Sequence, residues 1–239
     1  MTSTDAVFSG SIPALYQRCL EPLLFQPYAD DLARRVAELR PQRILETAAG
    51  TGIVTQAMAE ALPHAEIVAT DLNQAMLDLA ATRVRSANIS FRQADAQALP
   101  FADAAFDAVV CQFGAMFFPD RVLAFREARR VLRPGGHLLF NVWNRLEENP
   151  VSNAAASAVA NAFPGDPPSF FSRVPFGYYD KNTVERDVRA GGFRHVSIEI
   201  VGKRSPVASA RDAAIGLCQG TPLRAEIEAR DAGRLEGAT

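Results

Sequence analysis

The sequence predicts an α/β protein built on a doubly wound, mostly parallel sheet with helices on both faces. Three observations carry that prediction. Short apolar, strand-like runs alternate about five times with helical patterns. One of them, AFDAVVCQF (105–113), is nearly all apolar, as a strand buried on both faces must be. Polar residues then collect at the carboxyl ends of these runs: Glu46, Asp71, Asp95, Gln112 and Asn141. That edge is where open parallel sheets bind ligands.

The elements follow in order. Leu32, Val36 and Leu39 recur at helical spacing over 28–39, and Pro41 ends the helix. RILETA (43–48) is a short buried strand, and a helix over 55–62 closes at Pro63. EIVATDL (66–72) is the second strand, with Asn73 as N-cap of a helix reaching about Val84. ISFRQAD (89–95) is the third strand and 105–113 the fourth. A helix over 120–132 stops at RPGG, and HLLFNVW (137–143) is the fifth strand. The rhythm breaks over 145–180, where a helical alanine run meets a loop rich in proline and aromatics. A helix over 183–190 and a sixth strand, HVSIEIV (195–201), come next, then helical patterns over 209–218 and 223–235.

Bulk composition bounds the function. The chain has 239 residues, 48% hydrophobic, enough for one domain with a sizeable core. A net charge of -2 gives no electrostatic case for nucleic-acid binding. Cys19, Cys111 and Cys218 match neither a zinc spacing nor a CxxC pair, so they read as buried thiols of a cytoplasmic protein, and no metal site is expected. The N-terminus lacks a signal-peptide pattern. No stretch approaches the roughly 18 apolar residues of a membrane span.

The most informative stretch is ILETAAGTGIV (44–54). A dinucleotide loop wants G-x-G-x-x-G; Gly50 and Gly52 fit, but the third position is Thr55. A phosphate loop fails because no Gly-Lys-Ser/Thr follows. The remaining reading is a loop for an uncharged part of a ligand, with an acid before it. Asp71 ends the second strand, where a carboxylate can accept both ribose hydroxyls. Asp95, at the end of the third, can accept from an adenine amine, with Leu99, Pro100 and Phe101 walling the base.

Together ETAAGTG, ATDLNQAML, QADAQALPF, FDAVVCQFGAMFFPD and EARRVLRPGGHLLFNVW resemble a class I S-adenosylmethionine-dependent methyltransferase of the ubiquinone/menaquinone-biosynthesis-like small-molecule group. The resemblance is strong over about residues 28–143. It implies S-adenosylmethionine as cofactor. Residues 46–52 (Glu46, Thr47, Ala48, Gly50, Thr51 and Gly52 among them) would pass under its methionine part, and Asp71 would hold its ribose. Leu72 and Met76 would pack on the base, and Ala94, Asp95 and Ala96 would meet the adenine. Gln112 and Phe113 would lie along the methionine and ribose edge, with Phe117 beside them. The segment before the first helix would close the site through Tyr16 and Phe25. The resulting organisation is a covering segment (1–27), a cofactor-binding core (28–144), a substrate-covering insertion (145–182) and a C-terminal part (183–239).

Two expectations concern departures from the family pattern. Ala48 replaces the usual first glycine, which predicts a β-region φ there, with Gly50 or Gly52 taking any positive φ. The family fold ends in an antiparallel seventh strand, but none is legible after Val201, which predicts six strands with the final antiparallel one missing. The expected activity is methylation of an apolar or aromatic small molecule, driven by positioning, with no assignable base. His64, His137 and His195 lie away from the site. Tyr178, Tyr179 and Asp180 are the remaining candidates for a base, outweighed by their reading as a capped turn, while Phe117, Phe118, Phe163, Phe170, Phe171 and Phe176 suggest an apolar pocket. The competing functions are a catalytically silent S-adenosylmethionine-binding or interaction protein and an NAD(P)-dependent oxidoreductase; a homodimer is the assembly considered.

Overall fold

At the centre lies a four-residue strand, β1 (Arg43–Glu46), whose Ile44 and Leu45 are fully buried on opposite faces. β2 (Glu66–Asp71) and β4 (Phe106–Gln112) flank it in parallel, with β3 (Ile89–Gln93) outside β2 and β5 (Leu132–Asn141) outside β4. The order β3-β2-β1-β4-β5 places the topological switch between β1 and β4, so the site forms where those two strands end. The computed structural model describes Asp5, Phe8, residues 10–204 and residues 209–239. The rest of the predicted 1–27 covering segment, and residues 205–208, lie outside that description.

Alternation across the pleat separates two cores. Ile44, Ile67 and Val110 face α2 (Gln26–Glu38) and α3 (Ile53–Ala61). Leu45, Val68 and Val109 face α5 (Arg121–Val131). Helix α2 buries Ala29, Leu32, Ala33 and Val36, the i, i+3, i+4, i+7 stripe of an amphipathic helix. The Asp120 carboxylate accepts from the Leu123 amide and starts α5. α4 (Gln74–Arg83) follows β2, as the Asn73 cap predicts, although the Asn73 side chain accepts instead from the Phe8 amide at 3.3 Å.

β5 begins earlier than expected. The RPGG stretch, which ends the helix, already belongs to the strand and leaves a register shift between Phe106 and Ala108.

The predicted sixth strand does not form: among the described residues the sheet has five strands, all parallel. Residues 195–201 run without strand pairing, and Ile200 stays 62% exposed. Charge fixes this segment instead, through Arg35–Glu199 at 2.9 Å and Lys203–Asp31 at 3.2 Å, both to α2. The alternating apolar pattern was real, but nothing packs on both of its faces. No strand is described within residues 202–239 either, which agrees with a missing final antiparallel strand.

The third core is aromatic and sits over the strand ends. After the short α1 (Ile12–Leu15), a π-helical segment (Tyr16–Phe25), α6 (Pro150–Ala162), α7 (Phe170–Arg173), α8 (Lys181–Ala190), α9 (Ala210–Gln219) and α10 (Leu223–Asp231) supply it with the ends of β4 and β5. Gly216 of α9 lets the π-helical segment approach, since a Cβ there would meet Cys19 Cβ at 2.8 Å.

Candidate active site

Glu46 ends β1 and is 1% exposed. Its Oε2 accepts from the Thr55 hydroxyl at 2.6 Å, so the residue that spoiled the dinucleotide pattern holds the buried acid. Burial pushes the Glu46 carboxyl up to about 8, and the nearby Asp71 charge adds to that, against the Thr55 bond. The loop then returns across the sheet: Thr47 N–H donates to Val110 O and Ala49 N–H to Thr70 O, both at 2.9 Å. Asp71 ties loop to strand. Its Oδ2 accepts from Gly50 N–H at 2.9 Å and its Oδ1 from Asn73 N–H at 2.8 Å. Burial raises the Asp71 carboxyl, opposed by these amide bonds.

Ala48 overturns its prediction. Its φ is +53°, in the left-handed region, alongside Gly50 at +58° and Gly52 at +85°. The turn demands that conformation whatever residue fills it. The room for the methyl comes from across the site, because a Cβ on Gly114 would collide with Ala48 Cβ and fall 2.8 Å from Cys111 Sγ. Phe113, one residue earlier, also has positive φ, +52°. A bulky residue there is a genuine outlier, a kind of strain that clusters at functional sites.

The π-helical segment covers this loop. Glu21, 4% exposed, accepts from the Thr51 hydroxyl and pairs with Arg83 of α4 at 2.9 Å; Arg83 also donates to Thr51 O at 3.0 Å. Burial raises the Glu21 carboxyl, opposed by Arg83 and Thr51. Tyr16 stacks on Phe25 at 4.9 Å, and burial, with Glu21 and Asp71 close by, drives its phenol pKa up. The sequence pointed to Tyr16 and Phe25 in this segment but not to Glu21 and Arg83, which the structure brings against the same loop. The one available signal was an acid inside the apolar run CLEPLLF.

Around this bed the other predicted residues divide. Met76 is buried, with its methyl 3.6 Å from where a Gly50 Cβ would stand. Leu72, by contrast, is 52% exposed. Ala94 N–H donates to Asp71 O, while Asp95 accepts from Gln97 N–H at 2.8 Å, with Ala96 between them. Gln112 Nε2 reaches Phe25 O at 3.3 Å, and its Oε1 is buried without a partner among the described residues. An acceptor so placed awaits a donor.

Beside the bed lies a cavity with about 500 Å³ of empty space, its mouth included, lined by Phe117, Phe170, Phe171 and Phe176 among others. Phe113 stacks on Trp143 at 3.8 Å and 5°, and both line it with Tyr16 and Phe25. Phe118 and Phe163 fall outside its lining. Trp143 was missed, although it is the chain's single tryptophan. The three histidines are exposed. Tyr178 donates to Asp187 at 3.1 Å, and Asp180 caps α8 through Thr183 N–H at 2.8 Å, so the capped-turn reading describes them.

Three buried acids, Glu21, Glu46 and Asp71, thus floor the bed, and Arg83 is the one cation bonded to any of them among the described residues. A pyrophosphate would be repelled there. A ligand with a positive sulfur, an ammonium group and ribose hydroxyls would be held. Sheet order and loop give the Rossmann-like α/β fold that the sequence resemblance implies, with the acids gathered at the switch point.

Comparison with known proteins narrows the class. Residues 45–140 match the methyltransferase domain family. The chain is 44% identical over 104 residues to the demethylmenaquinone methyltransferase of Thermus thermophilus, covering 43% of this chain and 47% of that one. It is 36% identical over 120 residues to the ubiquinone/menaquinone biosynthesis C-methyltransferase of Yersinia enterocolitica, covering 48% of each. The chain spans less than half the length of these curated relatives. A methyltransferase structure from Bacillus halodurans superposes with a TM-score of 0.51 at 26% identity, covering 69% of this chain and 68% of that one. Through its core the chain is thus similar to methyltransferases, the curated relatives among them being those of ubiquinone and menaquinone biosynthesis. Among the described residues, no helix is long and apolar enough to cross a membrane.

Proposed function

We propose that the protein transfers a methyl group from S-adenosylmethionine to an apolar or aromatic small molecule held in the aromatic cavity. The observation that carries this reading is the adjacency of two unlike chambers, an acid-floored bed and an apolar cavity, sharing Tyr16, Phe25 and Phe113 as their wall. When bound, S-adenosylmethionine supplies a methyl group already activated on a sulfonium.

The chain's own residues then have limited work. Glu46 and the 47–52 loop would hold the methionine end, Asp71 the ribose, and Ala94 to Ala96 the adenine side. The unpartnered Gln112 Oε1 would take a donor from the same ligand. Tyr16 and Phe25 exclude water from above. Phe113 and Trp143 fix a flat substrate against the bed, and aromatic faces favour the passing positive charge. Alignment of this kind supplies effective molarities of order 10⁵ M or more, so no general base is required where the nucleophile is already electron-rich. Residues 145–182 would cover the substrate. The net charge of -2 and three buried free thiols support a cytoplasmic reaction on a small molecule rather than nucleic acid.

Calorimetry with S-adenosylmethionine and with NAD tests the bed. Binding of the first alone is expected, and binding of NAD alone overturns the reading. Transfer of label from S-adenosylmethionine to a cell extract, followed by identification of the product, tests the reaction.

A further inference from the structure

Two separate segments of chain supply much of the cavity wall. Residues 113–117, after β4, give Phe113, Met116 and Phe117, and residues 175–176, after α7, give Pro175 and Phe176. Arg121, the first residue of α5, links them. Its Nη2 donates to Met116 O at 3.3 Å, and its guanidinium carbon lies 4.2 Å from the centroid of the Tyr178 ring, just beyond Phe176. Tyr178 is buried and anchored in turn: its hydroxyl donates to Asp187 of α8, whose other oxygen accepts from Arg186 at 2.9 Å.

Packing alone does not call for an arginine at this position. Arg121 is half-buried, yet no carboxylate pairs with it among the described residues, and its Nε is buried without a hydrogen-bond partner. Arg173 of α7 and Arg186 of α8, by contrast, each pair with an acid. A cation drawn partly out of water without a counter-ion is costly, and a hydrophobic residue of similar volume would pack there at less cost. What the guanidinium has in exchange is a carbonyl from one wall segment and a ring face at the root of the other.

Resting on the substrate cavity proposed above, we infer that Arg121 is a positioning residue that sets the width of the cavity, and so the size of ring system admitted, by clasping residues 113–117 to residues 175–178. Arg121 is not itself in the lining, so its effect passes through Met116, Phe117 and Phe176. Releasing the clasp takes contacts from a small flat ligand and makes room for a larger one.

Fluorescence titration of the full chain with 2-naphthol and 1-hydroxypyrene, a small and a large fused-ring system with one hydroxyl each, tests this. Arg121→Met should shift the ratio of the two affinities about tenfold towards 1-hydroxypyrene, the scale of one partly desolvated cation–π contact. S-adenosylmethionine affinity should stay as in the wild type, because Arg121 bonds to none of the acids of the bed. Tyr178→Leu removes the other side of the contact and should give the same shift; it carries the test where Arg121→Met does not fold. Arg121→Lys keeps a cation over the ring and should recover most of the wild-type ratio. An unchanged ratio in Arg121→Met or Tyr178→Leu, an equal loss for both probes, or a shift in Arg121→Lys as large as in Arg121→Met overturns the assignment. Failure of the wild type to bind either probe overturns the cavity reading itself, and the role of Arg121 with it.

Discussion

The methyl of Ala48 occupies the space that Gly114 leaves by having no side chain. One residue belongs to the loop after β1 and the other follows β4, so two strand ends at the switch point have exchanged a side chain. Ala48 takes a left-handed φ of +53°, worth about 1 kcal/mol of strain for an alanine. Ala48→Gly should therefore raise stability by about 1 kcal/mol in urea unfolding. Gly114→Ala should cost about 2 kcal/mol by overpacking. The double variant should recover part of that loss, giving a coupling near 1 kcal/mol between the two sites.

Glu46 should leave a pH signature of unusual sign. Its folded pKa, about 8, lies above the usual carboxylate range, so the unfolded chain loses its proton first. Its contribution to stability is fully present in acid and falls as pH rises from about 4.5 to 8, by up to about 1.4 kcal/mol per pH unit. Glu46→Gln should flatten that stretch of the stability profile. Cofactor binding should also release a proton below pH 8 in the wild type and not in the variant, visible as a buffer-dependent calorimetric enthalpy.

The Glu21–Arg83 pair should behave as a buried acid with a half-buried partner. Arg83→Met leaves Glu21 uncompensated and should cost about 2 kcal/mol at pH 7, below the full value for a buried pair because Arg83 keeps some water. The loss should shrink in acid, as the raised Glu21 carboxyl takes its proton, and Glu21→Gln in the same chain should restore most of it.

Asp71 bonds the loop to β2 and, in the proposed function, also holds the ligand's ribose. Asp71→Asn replaces one acceptor by an amide facing an N–H donor, Gly50 or Asn73. A loss of about 2 kcal/mol in stability and at least tenfold in S-adenosylmethionine affinity is expected by melting and calorimetry. Unchanged affinity would remove Asp71 from the proposed bed.

The parts of the fold that read clearly were those whose neighbours lie on both sides. β1, β2 and β4 are apolar runs ending in Glu46, Asp71 and Gln112, and burial on two faces leaves no other pattern. Residues 195–201 carry a strand pattern equally good by eye, yet pairing depends on a partner edge, and the Glu199 and Lys203 charges bind α2 instead. Ala48 misled for a related reason: its conformation is decided by the turn and permitted by Gly114, 66 positions away. Glu21 and Arg83 meet only once the π-helical segment folds back over the loop, a contact with no local signature.

Tyr16 belongs to both chambers. Its ring lines the aromatic cavity, and its hydroxyl lies within the field of Glu21 and Asp71. A ligand that shifts this ring to fit one side therefore reshapes the other. Thermodynamic reciprocity then requires each ligand to alter the other's affinity by the same factor. In the proposed reaction cofactor and substrate would thus be coupled through one phenol, so the strength of that coupling is a property of the party wall rather than of either room.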